Sequence, residues 1–375
     1  METQASVTMM LTGDVMTGRG IDQVLGHAGT PGLYESYVRD ARDYVRLAEA
    51  VNGPIPAPVQ ANYIWGEALA GMARIAPDLR IINLETAVTT APHAWSDKGI
   101  NYRMHPDNVD CLTAAHIDCC VLANNHVLDW GREGLEETLR VLRQAGLHTA
   151  GAGSDGDEAW APAALPLDGG ARLLVFACCT SSSGIPAGWS AAPERSGVAL
   201  LPDLSDATAR LLADDVARQR APGDLVLISI HWGGNWGLDV PSAHRDFAHR
   251  LIDLGAADIV HGHSSHHPMP VEVYRSKLIL YGCGDLINDY EGIGARGSLR
   301  SDVGCLYFAT LALAGGHLQQ LDIIPFQLKR FRLSKTDPSA RSWLQQIFSV
   351  GGYSLAPLQI PLRPKGWSLR WVDKD

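Results

Sequence analysis

The residues of this chain that could do chemistry follow short apolar runs of sequence. Six of them form a candidate set of metal ligands: Asp14, Glu85, Asn125, His231, His261 and His263. In sheets covered by helices, ligands bind at the carboxyl ends of the strands. Carboxylates, an amide and imidazoles together are donors that divalent metals use in proteins. The pattern therefore predicts a metal site at one edge of a sheet.

A second group of residues could transfer protons beside this site. The predicted acid–base residues are His126, Asp129, His266 and Asp285. His126 lies three residues before Asp129. Asp285 and Asp289 follow the next predicted strand, where either could orient His263 or His266. A histidine oriented by a carboxylate is a good acid or base near neutral pH. Two such pairs suit removal of a proton and its return to the opposite face, which is racemase or epimerase chemistry.

Four more side chains are candidates for substrate binding. Arg19 and Arg103 could hold a carboxylate or phosphate through two hydrogen bonds, although a surface salt bridge is an equal alternative for each. Trp232 and Trp236 lie beside His231 and could line a pocket for an aromatic or peptidic substrate, with packing in the core as the alternative. The sequence leaves these alternatives open.

The elements that must position these residues alternate between strands and helices. Apolar runs predict strands at residues 7–11, 79–82, 117–123, 173–178, 225–230, 259–260 and 278–281. Apolar residues at helical spacing predict helices at residues 134–145, 204–220 and 244–254. Continuous apolar runs are typical of strands that are buried on both faces. The chain is therefore predicted to be an α/β sandwich.

The alternation of strands and helices predicts one main domain with an insertion and a C-terminal extension. Residues 1–333 form the domain, and residues 22–62 are an insertion after the first strand and a candidate lid, with a helix predicted at 34–50. After Pro325 the alternation of strands and helices stops. Residues 334–375 are predicted to be an extension packed on the domain, with a short helix at 340–348.

Composition excludes several classes of protein. The formal net charge of −10, without a run of Lys or Arg, argues against nucleic acid as a partner. No apolar stretch approaches the roughly 18 residues of a membrane span, and no leader peptide is recognised, so no membrane partner is expected. The seven Cys include the pairs Cys119-Cys120 and Cys178-Cys179 and lack a CxxC spacing, which favours reduced, buried thiols in a cytoplasmic protein.

Five sequence blocks, in order, resemble those of the CapA family, named for poly-γ-glutamate capsule synthesis and related to calcineurin-like metallophosphatases. The blocks are Thr12-Gly13-Asp14, Asn83-Leu84-Glu85, Asn124-Asn125-His126, His231-Trp232-Gly233 and Gly262-His263-Ser264-Ser265-His266. The resemblance covers about residues 7–333. It implies a four-layer α/β/β/α sandwich of the calcineurin-like metallophosphatase type. It also implies metal-ligand positions for Asp14, Glu85, Asn125, His231 and His263, with His126 facing the substrate.

Three differences from the metallophosphatase pattern affect the number of metal ions that the site is expected to hold. The metallophosphatases have an Asp-x-His block where this chain has Asp14-Val15-Met16, so the histidine ligand of that block is missing. They also have a metal-bridging Asp where this chain has Glu85. Two residues separate His263 from His266, where the metallophosphatase pattern has one. These changes favour one divalent metal ion over two, with Ca²⁺, Mg²⁺, Mn²⁺, Fe²⁺ and Zn²⁺ all left open. No organic cofactor is predicted.

The family resemblance and the predicted acid–base pairs lead to three hypotheses on function. The CapA-like family includes soluble members that epimerise the C-terminal Trp of a lasso peptide, and this chain is similar to that branch. The leading hypothesis is Cα epimerisation of a peptide substrate that depends on a divalent metal. The alternatives are a metallophosphoesterase and a protein that binds or helps to assemble poly-γ-glutamate. The oligomeric state is not predicted.

Overall fold

Two facing β-sheets organise the chain in the computed structural model, which describes residues 5–293, 297, 299–359 and 365–372. The strands are, in chain order, β1 (Ser6–Val15), β2 (Leu79–Leu84), β3 (Ala87–Val88), β4 (Arg103–Met104), β5 (Cys119–Val121), β6 (His148–Ala150), β7 (Ala152–Gly153), β8 (Ala163–Pro166), β9 (Arg172–Cys179), β10 (Gly197–Val198), β11 (Leu225–His231), β12 (Ile259–His263), β13 (Val271–Tyr274), β14 (Lys277–Leu280), β15 (Asp285–Ile287), β16 (Val303–Ala312), β17 (Leu318–Leu328), β18 (Leu333–Lys335), β19 (Ser354–Pro357) and β20 (Trp367–Arg370). The α-helices are α1 (Arg42–Asn52), α2 (Ala68–Ile75), α3 (Asp110–Thr113), α4 (Gly131–Gln144), α5 (Gly156–Trp160), α6 (Asp206–Gln219), α7 (Ser242–Asp253) and α8 (Pro338–Phe348).

Parallel strands at the centre of each sheet bring the predicted site residues to one edge. The first sheet has the order β19-β20-β17-β16-β1-β2-β5-β6, and the second has the order β13-β14-β12-β11-β9-β8. Strands β1, β2, β5 and β6 are parallel, as are β9, β11, β12 and β14. The sheets meet near these carboxyl ends, where His261 Nε2 of β12 lies 2.7 Å from the carbonyl oxygen of Thr12 in β1. The site is thus built between the two sheets.

Alternating side chains of the second sheet separate two apolar layers. Leu173 and Val175 of β9 pack in the core that the two sheets share, whereas Leu174 and Phe176 pack with Phe247 of α7 on the other face. This alternation is the two-residue period of a β-strand. Helices α6 and α7 therefore form an outer layer on the second sheet.

Helices also cover the outer face of the first sheet. A Cβ on Gly71 of α2 would lie 3.5 Å from the side chain of Ile324 in β17, and Leu135 and Leu139 of α4 are buried in the apolar cluster that contains the strands of the first sheet. Two helical layers thus enclose two sheets. The predicted four-layer α/β/β/α sandwich is confirmed.

The insertion at residues 22–62 contains less helix than its sequence pattern predicts. Helix α1 begins at Arg42, not at residue 34. The preceding residues form a turn in which Gly32 and Asp40 make an antiparallel bridge, and the carboxylate of Asp40 accepts a hydrogen bond of 2.9 Å from the backbone N–H of Arg42. A carboxylate at a helix start satisfies a backbone donor that has no partner within the helix. The helix therefore starts one turn or more after the predicted residue.

The C-terminal residues contact both sheets. Strand β20 pairs with β17 and with β19, which widens the first sheet. The backbone N–H of Val273 in the second sheet donates a 2.9 Å hydrogen bond to Tyr353 Oη. Within the described residues, none of the helices has both the length and the apolar character that crossing a bilayer requires.

Candidate functional site

Asp14 lies at the centre of the site, near the end of β1, which pairs with β2, β15 and β16. Its side chain is fully buried, and β1 pairs with β15 so that Asp14 is in register with Asp285. The strand can approach this closely because residue 13 is glycine: a Cβ there would lie 1.8 Å from the carbonyl oxygen of Gly284. Two carboxylates from separate parts of the chain are thereby placed side by side.

Two groups of possible metal-binding side chains share Asp14. Asp14, His231 and His263 form one group, and Asp14, His266 and Asp285 form the other, each with donor atoms within 4.8 Å of one another. All five side chains are buried. The structure thus combines residues from the predicted ligand set with the predicted pair of His266 and Asp285.

Three buried polar atoms at this edge have no hydrogen-bond partner among the described residues. They are Asp14 Oδ2, Asn125 Oδ1 and His231 Nε2. A buried polar atom without a partner costs about 1–3 kcal/mol, so several at one place are expensive unless a ligand satisfies them. Two oxygens and an imidazole nitrogen are suitable donors for a divalent cation. These residues therefore fit the metal that the sequence predicts.

The charge of the site also fits a cation. Asn83 Nδ2 donates to Asp14 Oδ1 at 2.7 Å and to Glu85 Oε2 at 3.0 Å, which holds the two carboxyl groups together. Burial and, to a lesser extent, the nearby carboxylate of Asp285 raise the pKa of Asp14 to about 7. Burial and the charges of Asp14 and Asp285 raise the pKa of Glu85 well above its usual range. Buried carboxylates this close require a proton or a cation between them.

Hydrogen bonds around the predicted ligands fix their orientation. Ser229 Oγ lies 2.8 Å from His263 Nε2, and the Nδ1 atoms of His263 and His231 are 2.7 Å apart. On the first sheet, Asn124 Nδ2 donates to Asn83 Oδ1 at 3.0 Å. Asn83 and Asn124 lie in two of the sequence blocks but had no predicted role, and Ser229 lies outside the blocks, two residues before His231. Partners of this kind set the position and basicity of a metal ligand.

Replacing Asn83 with Ala tests this supporting network. The change removes the donor that holds Asp14 and Glu85 together, so we expect divalent-cation affinity to fall about 10- to 100-fold. Calorimetric titration of chelator-treated protein measures it. Asn108→Ala is the matched control, because Asn108 is also buried and also donates to a carboxylate, that of Asp22. Equal cation affinity in the wild type and Asn83→Ala would contradict the role of Asn83.

His126 is oriented by Asp129, as the sequence predicts. The distance from His126 Nδ1 to Asp129 Oδ2 is 2.6 Å. Lys98 joins this pair: its ammonium group forms an ion pair with Asp129, donates to the carbonyl oxygen of Asn125 and lies 3.0 Å from His126 Nδ1. Burial and the charge of Lys98 together lower the pKa of His126 to about 4, although the carboxylate of Asp129 opposes them. His126 is therefore neutral at physiological pH and can accept a proton.

His266 is oriented by Asp285, and a further amide supports that pair. His266 Nδ1 lies 2.8 Å from Asp285 Oδ1, and Asn288 Nδ2 donates to Asp285 Oδ2 at 2.8 Å. Asp289, the other candidate partner, instead forms an ion pair with Arg19. Of the two carboxylates left open by the sequence, the structure selects Asp285.

A pocket of about 380 Å³ lies over these residues. His126 and His266 line it from loops on different sheets, together with Asn125, Lys98 and Trp236. A cavity of this size is within the range that holds small ligands. Both predicted acid–base histidines and one predicted substrate-binding tryptophan therefore face one space.

Arg19 also lines this pocket, but its guanidinium group already has partners. It forms ion pairs with Glu35 and Asp289, and its Cζ lies 4.0 Å from the ring centre of Tyr44 and 4.2 Å from that of Tyr102. The interpretation of Arg19 as a clamp for a substrate anion is therefore revised. Arg19 ties the insertion, through Glu35 and Tyr44, to the wall of the site.

The structure does not bring three predicted residues into the site. His261 has both ring nitrogens engaged, with Ser229 Oγ at 3.1 Å and the carbonyl oxygen of Thr12 at 2.7 Å, so it joins the sheets and is not placed as a metal ligand. Trp232 stacks on His244 at 4.5 Å and donates to the carbonyl oxygen of Tyr281. It faces away because successive residues of a strand point to opposite faces, and His231 faces the site.

Arg103 is the third of these residues. Its guanidinium group donates to the carbonyl oxygens of Ala91 and Thr30 and lies 3.6 Å from the ring centre of Trp130. These contacts hold loops together beside the site. Arg103 is not part of the lining of the pocket over His126 and His266.

A family model and several relatives match most of this chain. Residues 8–290 match the model of the family described as bacterial capsule synthesis protein PGA_cap. A probable polyglutamine synthesis accessory protein of Mycobacterium tuberculosis is 48% identical over 343 residues, which are 90% of this chain and 89% of that protein. The PGA biosynthesis protein CapA of Bacillus subtilis is 26% identical over 76% of this chain and 64% of that protein.

Among solved structures, this chain is similar to a novel phosphatase from Mycoplasma pneumoniae. The TM-score is 0.47 at 12% identity, with 91% of this chain and 98% of that chain covered. The family match includes the whole second sheet, the parallel strands of the first sheet from residue 8 onward, and all the residues of the two metal-binding groups. The chain belongs to the bacterial capsule synthesis family, as its resemblance to CapA predicts.

Proposed function

We propose that this protein is a divalent-metal-dependent enzyme that inverts the Cα configuration of an amino-acid residue in a peptide-like substrate. One observation carries the proposal: two imidazoles, each oriented by its own carboxylate, face one pocket beside residues that fit a cation. His126 with Asp129 approaches from the first sheet, and His266 with Asp285 approaches from the loop after β12. This is the arrangement expected for two bases that act on one carbon atom.

The reaction needs a base and an acid in sequence. One imidazole accepts the Cα proton, the electron pair of the broken C–H bond passes into the carbonyl group, and the other imidazole returns a proton to the opposite face. His126 is assigned the accepting role because Asp129 orients its ring and because its ring is neutral, burial and Lys98 lowering its pKa to about 4. A positioned general base or acid contributes typically about 10²–10⁴-fold to the rate. A divalent cation held by Asp14, His231 and His263 would supply positive charge near the carbonyl oxygen.

Deuterium incorporation tests the proposal directly. Chelator-treated protein is reloaded with Mn²⁺, Mg²⁺, Ca²⁺ or Zn²⁺ in D₂O and incubated with an acetylated peptide that ends in Trp, or with a γ-linked glutamate oligomer. We expect solvent deuterium at Cα, seen by mass spectrometry, together with inverted configuration in chiral chromatography. Chelated protein is the control and should do neither. Unchanged mass and configuration with every cation and both substrates would contradict epimerisation.

Hydrolysis of a phosphoester is the second candidate, and one observation favours it. Asp14 belongs to both possible metal-binding groups, and a carboxylate shared by two ions is a feature of two-metal hydrolysis. In that case metal analysis should give two ions per chain, and the protein should hydrolyse bis-p-nitrophenyl phosphate. One ion per chain without hydrolysis would exclude this mechanism for that substrate.

A role in polymer assembly is the third candidate. It is supported by the family match and by the name of the Mycobacterium tuberculosis relative, a probable polyglutamine synthesis accessory protein. In this case the protein binds glutamate oligomers without changing their mass, configuration or length. The same deuterium experiment, followed by a binding titration with the glutamate oligomer, distinguishes this role from the enzymatic ones.

A further inference from the structure

The mouth of the pocket carries large apolar side chains that are exposed to solvent. Tyr37 is 66% exposed, Ile100 is 41% exposed and Ile293 is 38% exposed, and all three line the pocket. The half-buried ring of Trp236 lies beside them in the same lining. These four residues, here called the apolar rim, come from four separate segments of the chain. Exposed apolar groups gathered around one opening are typical of a binding surface.

The charges below the apolar rim are already balanced. Arg19 is paired with Glu35 and Asp289, and Lys98 is paired with Asp129. These are the Arg and Lys side chains in the described lining of the pocket, and the exposed Asp97 adds negative charge beside them. The whole chain has a formal net charge of −10. A polyanion would therefore lose hydration at the rim without finding an unpaired Arg or Lys side chain in the described lining.

We propose that the apolar rim selects the substrate: it binds a large aliphatic or aromatic side chain of an uncharged peptide segment, next to the residue on which His126 and His266 act. The substrate class is then a neutral peptide and not a chain of glutamates. This inference rests on the proposed function, because it assigns the occupant of the same pocket. Burial of the peptide side chain against the rim supplies the affinity, since about 25 cal/mol is gained per Å² of apolar surface removed from water.

Calorimetric binding tests the selection without requiring turnover. The probes are acetyl-Gly-X amides, in which X is Trp, Leu, Ser or Glu, and γ-linked triglutamate, each titrated into the full chain. We expect the Trp and Leu peptides to bind about tenfold or more tightly than the Ser and Glu peptides and triglutamate. The affinity for the Trp peptide should change little with added NaCl, because salt screens charge interactions and not apolar contact. Tighter binding of triglutamate or of the Glu peptide would overturn the proposal.

Single substitutions at the apolar rim identify where the peptide binds. The affinity for the Trp peptide should fall about three- to tenfold in each of the variants Tyr37→Ser, Ile100→Ser and Ile293→Ser. Their melting temperatures should stay unchanged, because exposed side chains add little to stability. Leu211→Ser on α6 is the matched control, because Leu211 is 67% exposed and lies outside the pocket lining. Equal affinity in the wild type and all three rim variants would overturn the proposal.

The two proposals fail in different ways. Selective binding of the Trp peptide, lost in the rim variants, supports the apolar rim even if no deuterium enters any peptide. Deuterium entry into a glutamate oligomer but not into the apolar peptides would retain the chemistry of His126 and His266 and overturn the assigned substrate class.

Discussion

Asp14→Asn should abolish cation binding and lower activity by a factor of about 10³ or more, because metal catalysis contributes several kcal/mol of charge stabilisation. Asp14 is the one residue that both metal-binding groups of the described chain share. The substitution replaces a charged ligand with a neutral amide of nearly the same shape. Metal analysis after gel filtration and calorimetric titration measure the loss of binding.

The same substitution should stabilise the metal-free protein at pH 8. Burial raises the pKa of Asp14 to about 7 in the folded state, above its unfolded value of 3.8. A raised pKa means that the folded state favours the protonated carboxyl group, so this stability is present below pH 4 and is lost as the pH rises through about 7. Asn cannot ionise. The melting temperature of Asp14→Asn in chelator should therefore exceed that of the wild type at pH 8 and approach it at pH 5.

Replacing a buried carboxylate away from the site controls for the general effect of losing such a group in Asp14→Asn. Asp322 in β17 is 5% exposed and bonded to Ser368 and Gln320, away from both metal-binding groups. Asp322→Asn should leave cation binding and activity intact. If Asp14→Asn still binds the cation with wild-type affinity, the cation lies elsewhere.

The second large effect is expected at the two acid–base histidines. His126→Gln and His266→Gln should each reduce epimerisation about 10²–10⁴-fold, the usual contribution of a positioned acid or base. If each imidazole faces one side of Cα, each variant should still exchange the Cα proton of one stereoisomer. His126→Gln and His266→Gln should then act on opposite stereoisomers, and neither should interconvert them. Proton NMR in D₂O with each purified stereoisomer measures this.

The amount of bound cation should also distinguish the His126→Gln variant from the His266→Gln variant. His126 belongs to neither metal-binding group, so His126→Gln should retain the cation, whereas His266→Gln removes a member of one group. His249→Gln is the control, since His249 is also near a carboxylate, Glu272, at 3.1 Å, but outside the lining of this pocket. Exchange of the same stereoisomer by both variants would argue for a single base.

The sequence predicted the positions of most site residues because they follow strands. Asp14, Glu85, His231 and His263 end or follow apolar runs, and parallel strands end at one edge of a sheet, so their proximity followed from the strand assignment. The pairing of His126 with Asp129 followed from three residues of separation. These are local features, and a single sequence contains them.

Contacts between distant segments could not be predicted in the same way. Lys98 lies between the short strands β3 and β4, and nothing in its neighbourhood indicates that it reaches Asp129, 31 residues later. The orientation of Trp232 required the exact register of β11, since a shift of one residue would exchange its face with that of His231. Strands β16 and β17 were missed because they form an antiparallel pair with no helix between them, whereas the prediction relied on strands that alternate with helices.

The bond from His261 to the carbonyl oxygen of Thr12 joins the two sheets, and the groups around Asp14 likewise combine residues of both sheets. The cation site cannot exist in either sheet alone, so it forms only when the two halves of the chain dock. A cation that binds the docked state and not the unfolded chain raises stability by mass action. If the two halves dock after the transition state for folding, a bound cation would mainly slow unfolding, and the lifetime of the native protein would then depend on metal supply as well as on its apolar core.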